Sequence, residues 1–75
     1  MRERIKFLLE DALPLVNIEA EYLFGELDSL DVTQILMILS EEYGILLDHK
    51  DATPKNLKSL DAIVSMVQNK LNEKK

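Results

Sequence analysis

Apolar residues recur along this chain at helical rather than strand spacing. Near its start, Ile5, Leu8, Leu9 and Ala12 fall at i, i+3, i+4 and i+7, one face of an amphipathic helix. Pro14 should end that helix near residue 12 or 13, because the residue before a proline avoids the α region. Residues 14–27 carry no sustained period and read mainly as a loop. Asn17, ahead of Glu19, Ala20 and Glu21, can start a short turn there, and Leu15, Ile18, Leu23 and Phe24 are expected to pin the segment to the core. The clearest element follows. Val32, Ile35, Leu36, Leu39 and Tyr43 form one apolar stripe, and Gly44 suits the left-handed position just past a helix end. Asp28 or Ser29 can cap the start of this helix, and Asp31 in its first turn complements the helix dipole.

Beyond Gly44 the pattern shortens. Ile45-Leu46-Leu47 is apolar, residues 48–52 are a polar loop, and Thr53-Pro54 reads as the cap and first residue of a brief third helix containing Leu57. Ser59 then caps a last helix. Its buried stripe is Leu60, Ile63, Val64, Val67 and Leu71, with Lys70, Lys74 and Lys75 at the favourable C-terminal end. The expected fold is all-α: a small four-helix bundle of three main helices plus one short one, in a single domain spanning residues 1–75.

Composition narrows the chemistry. The 75 residues include no Cys, so the core rests on packing alone, and neither a thiolate nucleophile nor a Cys-based metal site exists. No apolar run approaches the roughly 18 residues needed to span a bilayer. Glu10 and Asp11 interrupt any signal-peptide core behind the basic Met1-Arg2-Glu3-Arg4, which makes the cytoplasm the expected compartment. The net charge is −5, and its distribution says more than its size. From Phe7 to Asp48 there is no Lys or Arg, against ten acids. Such a field repels nucleic acid and anionic membranes and steers encounter with basic protein surfaces. The same acids also serve as an ordinary solvated surface.

Ser29 is the residue with the most informative setting. It stands at the first turn of the best helix, between Asp28 and Leu30. Nucleophilic catalysis needs a base, yet the single histidine, His49, lies in a loop beyond that helix, and no Gly-x-Ser-x-Gly elbow is present. Asp28 and Asp31 are too few ligands for a metal site, and no glycine loop cradles phosphate. What remains is that Ser29 accepts a modification, a phosphodiester at a helix N-terminus being favoured by free N–H groups and the dipole. Asp28 would then help an external enzyme hold a divalent metal on the incoming pyrophosphate. From spacing alone, a plain cap and ordinary first turn is the better account. Leu30, Thr33, Met37 and Glu41 form a second line along the helix, with Ile38 nearby, and the apolar members suit a surface that meets partners.

Leu27-Asp28-Ser29-Leu30-Asp31, followed by Ile35-Leu36-Met37-Ile38-Leu39-Ser40-Glu41-Glu42-Tyr43-Gly44-Ile45, resembles the acyl carrier proteins of the phosphopantetheine-dependent carrier superfamily. Leu57, Ser59 and Leu60-Asp61-Ala62-Ile63 extend the resemblance over essentially the whole chain. It implies a monomeric, non-enzymatic carrier. Ser29 would receive a 4′-phosphopantetheine arm from coenzyme A through a separate Mg-dependent phosphopantetheinyl transferase. The arm would hold an acyl group as a thioester for fatty-acid, lipid or secondary-metabolite synthesis. Leu30, Asp31, Thr33, Met37, Glu41 and Glu42 would dock on basic rims of acyl-transferring or acyl-activating enzymes. Three departures stand out. The segment between Pro14 and Gly25 is shorter than in fatty-acid carriers, and Gln34 and Ser40 stand where those carriers often have acids. Aminoacyl carriers of the D-alanyl or peptidyl type share Leu-Asp-Ser and a less acidic second helix, and form the alternative within the superfamily. A helical interaction domain without a prosthetic group is the alternative outside it.

Overall fold

The computed structural model describes residues 1–74, which fold into three α-helices, with no strand among them. Helix α1 runs Arg2–Ala12, α2 runs Ser29–Tyr43 and α3 runs Leu60–Lys74. Each main helix expected from periodicity is present, and all three pack against one another. Ile5 and Leu9 of α1, Ile35 and Leu39 of α2, and Ile63 and Val67 of α3 are fully buried where the helices meet. Truncating any one of the leucines or isoleucines among these to alanine costs about 2–5 kcal/mol, because the lost transfer free energy adds to the cavity left behind. Leu8 and Ala12 flank the α1 stripe and are only partly buried. The radius of gyration, 11.1 Å, matches the roughly 11 Å of a close-packed chain this long.

Local chemistry sets the helix ends. Leu13 donates its N–H to the Leu9 carbonyl at 2.8 Å and leaves helical geometry ahead of Pro14, as the proline requires. Gly44 adopts the left-handed conformation, φ 62° and ψ 38°, and ends α2. Ser59 caps α3: its Oγ accepts from the Ala62 N–H at 3.2 Å. The Lys75 placed at the end of this helix by the sequence lies outside the described residues.

Two connections depart from the expectation. The brief third helix after Thr53-Pro54 is a single hydrogen-bonded turn. The Leu57 N–H donates to the Thr53 carbonyl at 3.0 Å and the Asn56 N–H to Thr53 Oγ1 at 3.1 Å, and the pattern stops there. The capping chemistry was legible, but five residues between Thr53 and Ser59 are too few to repay helix nucleation. The polar stretch read as loop instead holds a 3₁₀ turn, His49–Asp51, with reciprocal capping by Asp48 and Asp51. A second 3₁₀ turn, Leu23–Glu26, lies in the long loop after α1. The four-helix expectation therefore reduces to three α-helices and two 3₁₀ turns.

In the loop after α1, Ile18 and Leu23 are buried and Phe24 partly so, as expected. Leu15 is the exception, at 99% exposure. The Val16 N–H donates to the Leu13 carbonyl at 3.1 Å, which closes a turn with Pro14 and Leu15 at its apex, so Leu13 and Val16 face the core instead. The Leu23 N–H reaches the Lys58 carbonyl at 2.7 Å and ties this loop to the turn before α3.

Candidate functional site

The approach to Ser29 is built by two short segments. After the Leu23–Glu26 turn, Leu27 and Asp28 are extended, and α2 starts at Ser29. Asp28 rather than Ser29 is the cap. Its Oδ1 accepts from the Asp31 N–H at 2.8 Å, while Asp31 Oδ2 accepts from the Asp28 N–H at 3.2 Å. This reciprocal box satisfies two backbone donors and puts negative charge at the positive end of α2. It also leaves Asp28 Oδ2 without a hydrogen bond among the described residues. Thr33, one turn on, spends its hydroxyl on the Ser29 carbonyl at 3.0 Å and has no free donor to offer.

Released from capping, Ser29 is exposed and its hydroxyl hydrogen-bonds to nothing among the described residues. The other serines differ. Ser59 Oγ is occupied at the start of α3, and Ser40 Oγ accepts from the Leu47 N–H at 3.2 Å. Ser65 lies on the exposed middle of α3. Ser29 opens onto a cleft of about 530 Å³ lined by Phe24, Leu27, Asp28, Val32, Thr33, His49 and Ala52. Its walls come from the Leu23–Glu26 turn, the first turns of α2 and the His49–Asp51 turn. A second cleft of about 300 Å³ continues along α2, lined by Thr33, Leu36, Met37, Leu47, Asp48 and His49.

The structure thus brings Asp28, Ser29 and Thr33 together at one cleft and Thr33 with Met37 at the next. Leu30 and Met37 are exposed at 70% and 54%, as the second line along α2 predicted, and Ile38 is half-buried beside them. The acidic residues are less uniform. Glu41 is exposed and without an ion-pair partner among the described residues, whereas Glu42 binds Arg4 of α1, Arg4 Nε lying 3.1 Å from its Oε2. The Glu42 carboxylate holds the Arg4 guanidinium above its usual range, and burial pushes the neighbouring Tyr43 phenol up. Asp31 is half-buried within the capping box. Of Asp31, Glu41 and Glu42, Glu41 is the one left open to an external cation.

Ser40 has a local reason to be serine. Its carbonyl accepts from the Gly44 and Ile45 N–H groups and its hydroxyl from Leu47, so one residue closes the turn that leaves α2. Sequence reasoning missed His49 as a neighbour of the site. Twenty residues separate it from Ser29, and only the 3₁₀ turn brings it to the same cleft. No hydrogen bond joins the two side chains, and no group of three potential metal ligands exists among the described residues. Nor is any described helix long and apolar enough to cross a membrane. Comparison with models of known families, with curated proteins and with solved structures gave no significant match to this chain.

Proposed function

We propose that this protein is a cytoplasmic carrier whose Ser29 is the attachment site for 4′-phosphopantetheine. The observation that carries the reading is the free, exposed Ser29 hydroxyl beside a cleft, on a helix whose cap is supplied by its neighbour. A serine acting as its own cap would have its oxygen committed to the backbone. A serine activated for catalysis would have a base within hydrogen-bond reach. Ser29 has neither, which suits a hydroxyl acted on by another enzyme.

The residues present fit the group. Phe24, Leu27, Val32 and Ala52 give the cleft apolar walls for a slender chain, and Asp28, Thr33 and His49 add polar edges. Once attached, the group supplies a terminal thiol that holds an acyl unit as a thioester, which this cysteine-free chain lacks. In its attachment, Ser29 Oγ forms a bond to phosphorus, the pyrophosphate of coenzyme A breaks with departure of adenosine 3′,5′-bisphosphate, and the serine proton passes to the transferase. Asp28 Oδ2 is available to help hold the transferase's divalent cation. Leu30 and Met37 form an apolar contact for partner enzymes, flanked by Glu41, with Asp31, Thr33 and Glu42 contributing shape more than free charge.

An aminoacyl cargo is the second reading. It is favoured by the weakened negative charge along α2, where Gln34 and Ser40 are neutral and Glu42 is paired. Incubation with coenzyme A, Mg²⁺ and a broad-specificity transferase, read by mass, tests attachment. Loading with acyl against aminoacyl donors then separates the cargoes. A chain that never gains the arm would be an interaction domain only.

A further inference from the structure

The two clefts along α2 share one titratable side chain. His49 lines both the cleft beside Ser29 and the one beside Met37. Its backbone is held firmly by its neighbours. Asp48 Oδ1 accepts from the Lys50 N–H at 2.9 Å and Asp51 Oδ2 from the Asp48 N–H at 3.0 Å. Asp51 Oδ1 lies 3.1 Å from Lys70 Nζ on α3, and the Asp51 carbonyl accepts from Asn56 Nδ2 at 2.9 Å. The turn bearing His49 is therefore fastened both to α3 and to the turn that follows it.

The acids near this ring each accept from another donor, with Asp28 Oδ2 left open on the same cleft. Asp28 and Asp31 cap one another, Asp48 serves the Lys50 N–H, and Asp51 is paired with Lys70. Lys50 is the other cation on the same turn. The imidazole itself hydrogen-bonds to nothing among the described residues. A ring that can carry positive charge, lining the cleft of a free hydroxyl and lacking an acceptor of its own, suits an anion attached at that hydroxyl.

We propose that His49 binds the phosphodiester joined to Ser29, donating a charge-assisted hydrogen bond across the cleft to a phosphate oxygen and directing the attached arm along α2 towards Met37. This rests on the carrier reading of Ser29. Protonation of His49 strengthens the contact, and deprotonation releases the arm towards solvent.

The chain has a single histidine, so proton NMR of its Hε1 against pH reads the contact without any activity assay. After modification by a transferase, the midpoint of this titration rises by about half a unit or more, as for a cationic group gaining an anionic partner. The rise persists at about 0.5 M salt, where the field of a distant charge is screened. In parallel, the phosphorus-31 signal of the modified protein follows the same midpoint, and in a His49→Gln variant it no longer does. A modified chain whose histidine midpoint does not move, or moves only at low salt, overturns the His49 assignment and leaves the carrier reading intact. A chain that gains no mass overturns the carrier reading and the His49 assignment together.

Discussion

The start of α2 rests on two carboxylates, and removing one has a calculable effect. In Asp28→Ala the Asp31 N–H loses its 2.8 Å acceptor, while the bond from the residue-28 backbone N–H to Asp31 Oδ2 can persist. Loss of an N-cap acceptor costs about 0.5–2 kcal/mol, and loss of its charge at the helix N-terminus about 0.3–1 kcal/mol more. The sum, about 0.8–3 kcal/mol, is large against the roughly 4–11 kcal/mol expected for a domain of this size. With a urea m-value of about 1 kcal/mol/M, the unfolding midpoint should fall by about 1–3 M. Asp28→Asn keeps an acceptor and loses only charge, so its shift should be under about half of that. Asp31→Ala combined with Asp28→Ala should cost less than the two singles added, because they share one box. Urea titrations followed by circular dichroism at 222 nm measure all four. An Asp28→Ala shift below about 0.3 M, or an Asn variant as damaged as the Ala one, would refute the capping argument. The Asn variant also separates roles: if it folds normally yet is modified slowly, the Asp28 charge matters to the transferase rather than to the helix.

Other consequences follow from named contacts. Ser40→Ala removes the acceptor of the part-buried Leu47 N–H and should destabilise by about 1–2 kcal/mol; Ser40→Glu, which adds an acid to that face, should do no better, and an unchanged urea midpoint in either would show the bond to be dispensable. Glu41→Lys should slow modification by the transferase several-fold at low salt, with the difference vanishing near about 1 M, while Glu42→Gln should lower Tm through loss of Arg4 and affect the rate less. Equal rate effects from both would remove the distinction between a free and a paired acid. Hydrogen bonds from Arg2 and then Lys6 hold the Glu19 carboxyl below its ordinary 4.5, so the stability it contributes is complete above that value and is lost as pH falls through the lower folded value. The Tm deficit of Glu19→Gln should therefore shrink from about pH 6 to about pH 3, and a deficit independent of pH would rule out an ionic role.

Periodicity located α1, α2 and α3 because each buries a stripe that repeats every three or four residues, and Pro14, Gly44 and Ser59 mark their ends by local chemistry alone. The same reasoning failed at short connecting segments and where the outcome depended on distant parts of the chain. Thr53-Pro54 is a good helix start, but the segment closes after one turn. Leu15 is apolar yet sits at a turn apex, since the hydrogen bond between Val16 and Leu13 decides which neighbours face inward. At the site, Ser29, Leu30 and Met37 were legible from one helix, whose register fixes what each side chain meets. His49 was not, because its place beside Ser29 depends on Asp51 meeting Lys70 across the fold. Nor could spacing reveal that Arg4 neutralises Glu42 while Glu41 stays free.

The central claim is that Ser29 alone, among four serines, accepts the arm. Intact-mass measurement of the wild-type chain and of Ser29→Ala, after incubation with coenzyme A, Mg²⁺ and a broad-specificity phosphopantetheinyl transferase, tests it most directly. The expected result is one added phosphopantetheinyl unit on the wild type and none on the variant. A wild-type chain of unchanged mass, or a Ser29→Ala chain that still gains the unit, would contradict it.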